Sequence, residues 1–217
     1  LGHGLVFSHT HRPEGLPSGP WRRQATKARL SSAGTTLQIA VNFCPLRPRR
    51  PSTVVAKPIL RTRLNAVQGQ DRQLDEEVLC YFRDANGESV LRALVAQQVP
   101  LRLFASTDPN LPGVQWEPLD SERFTSALLT ARAVVSSAGS QLISECVALG
   151  IPQLALHETK DDEQLLNIGM LKAANLGSGS SFSEIGPQEV QDFLNRVKAQ
   201  EWPAQDPWLE KPGSGNA

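Results

Sequence analysis

Apolar residues are scattered as far as about Asp75, and from Glu76 onward they gather into runs of two alternating periods. Val78-Leu79-Cys80-Tyr81-Phe82 is a compact apolar run followed by the turn-prone Asp84-Ala85-Asn86-Gly87. Ser89 to Gln98 then places Val90, Leu91, Leu94 and Val95 at helical spacing. The alternation continues with a strand over Leu101 to Phe104, a weaker strand over Gly113 to Trp116, and a helix over Glu122 to Ala131. Ala133-Val134-Val135 is a buried strand that runs into the small-residue turn Ser136-Ser137-Ala138-Gly139-Ser140. Gln141 to Leu149 reads as a helix closed by Gly150, Ile151 to Leu156 as a strand, and Glu163 to Ala174 as a helix ending before Gly177. A last helix is expected over Pro187 to Ala199. Strands that are apolar almost throughout, separated by helices, predict an α/β fold: a Rossmann-like parallel sheet with helices on both faces.

The upstream part follows neither period. Residues 1–35 are rich in Pro, Gly, Arg and Ser, and Pro13, Pro17 and Pro20 interrupt any pattern, so loop or disorder is expected there. One weak strand is expected over Thr36 to Phe43 and a second over Val54 to Leu60, separated by a connector punctuated by Pro45, Pro48 and Pro51. The division that results is an N-terminal remnant or irregular basic arm (1–53), a linker (54–75), the α/β domain (76–200) and a tail (201–217).

Charge sharpens that division. The 217 residues have a formal net charge of zero, but 1–70 hold 11 Lys and Arg against Glu14 alone, and 71–217 hold 11 against 21 acidic residues. A basic arm fits nucleic acid or anionic lipid, or simply packs against the acidic half or is poorly ordered. Cys44, Cys80 and Cys146 are too far apart and too few for a disulfide framework or a metal site, which favours a reducing compartment. No apolar run approaches the ~18 residues of a membrane span, and no signal peptide is visible. The cytoplasm is the expected location, with peripheral attachment at the inner membrane face as a further option. The chain begins at Leu1, as an incomplete or processed product would.

In an open parallel sheet, ligands gather at the carboxyl ends of the strands. Gly139 and Ser140 join a buried strand to a helix start, where free N–H groups and the helix dipole attract a phosphate; Ser140 as a plain helix cap is the alternative. Glu145 lies five residues into that helix, ~7.5 Å along its axis, about the offset from a diphosphate to its ribose. It is expected on a face shared with Gln141, Ser144 and Ala148, opposite the buried stripe of Leu142, Ile143, Cys146, Val147 and Leu149. A solvated surface glutamate is the alternative. His157 to Gln164 follows the next strand. Gln164 is placed to bond sugar hydroxyls, whereas Asp161, Asp162 and Glu163 equally suit a helix N-terminus. Asn86-Gly87 offers backbone N–H groups to the same phosphate, or is an ordinary turn.

The segment VVSSAGSQLISECVALGIPQLALHETKDDEQLLNIGMLKAANLG (Val134 to Gly177) resembles the C-terminal domain of GT-B glycosyltransferases. It is similar to the lipid II-forming N-acetylglucosaminyltransferases and to related uncharacterised prokaryotic enzymes. The shared features are the small-residue turn, a Ser-Glu pair on the helix, a Leu-Gly-Ile-Pro stop, and an acidic run ending in Gln before Asn. VVAKPILR (Val54 to Arg61) resembles the segment linking the two halves of that fold. The resemblance implies a diphosphate at Gly139, Ser140 and Gln141 with Asn86 and Gly87, a ribose at Glu145, and a donor sugar at Gln164, Asp161 and His157. It places the base near Leu119. It further implies a nucleoside diphosphate sugar, UDP-linked before others, as donor, with no cofactor and no metal. The acceptor would be a lipid-linked molecule or a glycan. The usual glycine pair is Ala138-Gly139 here, and the acceptor domain with its catalytic base is not contained in residues 1–53. A catalytically incomplete glycosyltransferase is therefore expected, with a non-catalytic nucleotide-binding subunit as the alternative, and no nucleic acid as partner.

Other chemistries fit less well. His9-Thr10-His11 with His3 lacks acidic or Cys partners for a metal. Gly177-Ser178-Gly179-Ser180-Ser181 lacks the last glycine of a nucleophile elbow, and no G-x-G-x-x-G follows the first strand of the domain.

Overall fold

The computed structural model describes residues 4–34, 38–82, 87–202 and 207–208. An N-terminal module holds α1 (Leu5–His9), α2 (Ser18–Ser31), β1 (Gln38–Val41) and β2 (Thr53–Ala56), the last two a parallel pair. The short α3 (Thr62–Asn65) leads into β3 (Val78–Phe82), α4 (Glu88–Val95), β4 (Leu101–Ala105), β5 (Val114–Glu117) and α5 (Ser121–Thr130). Then follow β6 (Ala133–Ser137), α6 (Ser140–Leu149), β7 (Gln153–His157), α7 (Asp162–Ala173), β8 (Ser178–Ser181) and α8 (Pro187–Lys198).

Six of the strands form one wholly parallel sheet in the order β5-β4-β3-β6-β7-β8. Successive side chains of a strand point to opposite faces, which sorts the core. Val78, Cys80 and Phe82 of β3 pack with Val90, Leu91 and Leu94 of α4 and with Phe193 of α8. Leu79 turns the other way, against Phe124 and Leu128 of α5 and Leu142 and Cys146 of α6. Helices therefore cover both faces, as the apolar strands require. The three cysteines are buried free thiols, and burial pushes Cys44 up to about 12 and Cys80 and Cys146 further still. No helix of the described residues is long and apolar enough to cross a membrane.

Two regions depart from the sequence reading. Residues expected to be loop or disorder contain α1 and α2. Pro17 caps α2 and Pro20 sits in its first turn, where a missing N–H breaks no helical bond. Trp21, Gln24, Ala25 and Ala28 then make a narrow buried stripe at helical spacing, with Trp21 edge-on to Phe7 at 5.2 Å. Trp21 and Ala25 of this stripe join Leu166, Ile168 and Met170 of α7 in one core, and Arg23 binds Asp162 with two bonds of 2.6 Å. The N-terminal module is thus packed on the domain. The second departure is β8, where Ser178-Gly179-Ser180-Ser181 carries no apolar signal. A Cβ on Gly179 would stand 2.6 Å from the Ala155 carbonyl oxygen and from Ile168 Cγ2, so the strand lies where only glycine fits.

Candidate functional site

The strand order reverses at β3 and β6. The helix after β3 lies on one face and the helix after β6 on the other, which opens a crevice between the two carboxyl ends. A cavity of about 540 Å³ occupies it, lined among others by Arg61, Phe82, Ser137, Gly139, Gln141 and Gln164.

The turn from β6 into α6 is held from behind. Ala138 N–H donates to Leu156 O at 2.7 Å, and the buried Asn167 amide donates to Ala138 O at 3.0 Å. Gln153, also buried, donates to Ser136 Oγ at 2.9 Å. Gly139 then caps α6 without a side chain, and no side-chain cap bonds the helix start. The first helical bond found there runs from Ile143 N–H to Gly139 O at 3.1 Å, so the N–H groups of Ser140, Gln141 and Leu142 precede it and face the cleft end. Gly139 is exposed, its φ of −72° suits any residue, and a Cβ there would meet nothing within 4 Å. Nothing inside the fold asks for glycine at this position.

Glu145 is fully buried and does not line the cavity. The face it shares with Ser144 is covered, contrary to the expectation of an open face, because the chain through Ile59 and Arg61 crosses it. Gln141 Nε2 bridges that segment and the helix, donating to Ile59 O at 3.3 Å and to Glu145 Oε1 at 3.0 Å. Arg61 Nε adds an ion pair to Oε1 at 3.1 Å, and Oε2 is buried with no hydrogen-bond partner. Arg61 is further fixed by Thr125 Oγ1 at 2.7 Å and by lying over the Phe124 ring at 5.4 Å.

The opening of α7 forms the far wall. Asp161 caps it, its Oδ1 accepting from the N–H groups of Glu163 and Gln164, both at 3.0 Å. Gln164 Oε1 accepts from Glu158 N–H at 3.0 Å. The half-buried His157 ends β7 with Nδ1 3.0 Å from Glu158 O, and neither it nor Asp161 lines the cavity. Gly87 is buried at the start of α4, and Asn86 lies outside the described residues. Leu119 is exposed between β5 and α5, also off the cavity wall. The crevice therefore brings together Gly139, Ser140, Gln141 and Gln164, with Glu145 directly beneath. Arg61 and Asn167 escaped the sequence reading. Asn167 interrupts the apolar stripe of α7, which was a usable signal, whereas nothing local marks Arg61 as the partner of a glutamate 84 positions away. His9 is buried against Ser8, and no cluster of three metal-ligating side chains occurs among the described residues.

Crevice and strand order define an open doubly wound α/β domain built around a switch point. The chain belongs to glycosyl transferase family 1, whose sequence profile matches residues 21–198. Its fold is that of the GT-B enzymes. MurG of Acinetobacter baumannii superposes with a TM-score of 0.53 at 15% identity, over 82% of this chain and 56% of that one. The spinosyn forosaminyltransferase SpnP gives 0.54 at 15% identity, over 90% and 58%. The glycosyltransferase VinC, solved with dTDP, gives 0.52 at 13% identity, over 84% and 56%. The chain thus spans little more than half the length of these structures. No curated protein matches it.

Proposed function

We propose that this chain binds a nucleoside diphosphate sugar as the donor half of a metal-independent glycosyltransferase. The observation that carries the reading is the uncapped start of α6 opening into the switch-point crevice directly above a buried carboxylate oxygen without a partner. Three successive N–H groups and the positive end of a helix suit a diphosphate. Gly139, which the fold itself does not require, keeps that approach clear. Glu145 Oε2 suits a ribose hydroxyl as donor. For a ribose to reach it Gln141 must withdraw, and Arg61, released from Oε1, is then positioned to meet the diphosphate. Gln164 offers its amide nitrogen to the sugar.

In transfer, negative charge grows on the leaving diphosphate, and fixed dipoles aimed at it lower the barrier without reorganising. The helix start and Arg61 fill that role where other enzymes use a cation. The acceptor, a lipid-linked molecule or a glycan, and the base that deprotonates it belong to a further half or partner. UDP is the first nucleotide to test, and a cytoplasmic protein touching the membrane surface fits such an acceptor.

Calorimetry of the chain with UDP tests the reading. Binding is expected, with Glu145→Gln weakening it about tenfold to a hundredfold, the worth of a hydrogen bond to a charged group. Absence of binding for both UDP and GDP at ~1 mM, where even a weak ~4 kcal/mol complex half-saturates, would discard the donor assignment.

A further inference from the structure

We propose that the N-terminal module holds a second site, one for a phosphomonoester group. It does not rest on the donor reading and shares no lining residue with the crevice. A cavity of about 340 Å³ lies between the end of α2 and the β1–β2 pair. Its rim carries Arg29, from the last turn of α2, with Arg49 and Arg50 from the loop entering β2. All three are exposed, and among the described residues none takes part in an ion pair. Arg49 is anchored by its Nε, which donates to Thr10 O at 2.7 Å, so its two terminal nitrogens remain for a ligand. No Asp or Glu lines the cavity.

The floor is polar and buried. Thr53 is 5% exposed, and its Oγ1 has no hydrogen-bond partner. Beside it Ser8 and His9, 7% and 9% exposed, are joined Oγ to Nδ1 at 2.5 Å. An orphaned hydroxyl inside a fold is costly unless something completes it. Three guanidinium groups lining one cavity that no carboxylate lines favour a multivalent anion there. Guanidinium forks match phosphate oxygens in pairs. The space falls in the range of small-ligand sites, large enough for a phosphate with an organic body attached. The excess positive charge of residues 1–70 is in part concentrated here.

Phenyl phosphate is the probe for a free ester, and vesicles of phosphatidylcholine with phosphatidic acid are the probe for a lipid headgroup. Titration of the whole chain is expected to show saturable binding of phenyl phosphate. Arg29→Gln with Arg50→Gln should weaken it at least tenfold, and Thr53→Val several-fold, with UDP binding unchanged in both. Glu145→Gln should leave phenyl phosphate binding intact, which separates the two sites. Sedimentation with phosphatidic acid vesicles that the arginine variant abolishes identifies the headgroup as the source; without it the source is a free ester. Failure of both probes, binding that survives the arginine substitutions, or capture of duplex DNA without phenyl phosphate would each overturn the proposal.

Discussion

Helices α6 and α7 both start at the carboxyl edge of the same sheet, one strand apart, and satisfy their first turns in opposite ways. Asp161 caps α7 from within, Asp162 and Glu163 place acid in its first turn, and Arg23 of α2 holds Asp162. At α6 the cap is a glycine and the first turn carries no acid. One start is completed by side chains of the fold and the other has no side-chain cap. On the proposed reading the α6 start serves the diphosphate, whereas the Asp161 cap and the Arg23 pair at the α7 start serve stability. What secures α6 instead is packing by Leu142, Ile143, Cys146 and Val147, and the pair of Glu145 with Arg61 across its covered face.

The largest test of that contrast is Arg61→Met. It leaves a fully buried carboxylate with Gln141 as its remaining hydrogen-bond partner, and should cost about 3 kcal/mol, the low end for breaking a buried pair because Arg61 is itself partly exposed. Urea unfolding with an unchanged slope would read it directly. A midpoint equal to that of the parent would mean that water already reaches Glu145, and that α6 needs no such fastening. Pairing the substitution with Glu145→Gln should restore most of the loss.

Next come exchanged caps. Asp161→Ala should cost about 1 kcal/mol, the usual worth of a helix cap, with UDP affinity changed little. Gly139→Asp gives α6 the kind of cap α7 has. Its backbone geometry tolerates any residue, so stability should rise by roughly a few tenths of a kcal/mol while UDP binding falls away, a carboxylate now standing where the diphosphate belongs. Thermal midpoints and calorimetry on both variants decide it. If Asp161→Ala removes UDP binding while leaving the midpoint in place, Asp161 serves the nucleotide and α7 is no mere counterpart.

The sheet and its helices were legible because burial on both faces writes itself as short apolar runs, and Gly150 ends α6 in the left-handed conformation its position implied, with φ of 64°. The position of Gly139 and Ser140 at the crevice was legible for a similar reason: a small-residue turn between a buried strand and an amphipathic helix lies at the carboxyl edge of a parallel sheet. The environment of Glu145 was not. Its burial comes from a segment far away in sequence, and helical periodicity sees only the helix it belongs to. The same blindness hid α2, whose stripe of Trp21, Ala25 and Ala28 is too small to stand out until Phe7 and α7 supply its other side. Strand β8 left no trace because its fit depends on the side chain that Gly179 lacks.

The smallest effect should come from Arg23, at the exposed outer edge of the complete start. Its guanidinium donates to Asp162 and holds that carboxyl below the ordinary range. A depressed folded value means that the native state binds fewer protons than the unfolded chain. The contribution is therefore present above the unfolded carboxylate value of ~3.9 and is lost as pH falls through the folded one. Arg23→Gln should accordingly lower the thermal midpoint slightly at neutral pH, and the difference should vanish in acid. It should shrink as well in ~1 M salt, where charges are screened within ~3 Å. Carbon-detected titration of Asp162 should move back toward the ordinary value in the variant. A difference that persists in acid would mean that Arg23 works by packing α2 onto α7 and that its charge is incidental, leaving Asp161 alone to complete the α7 start.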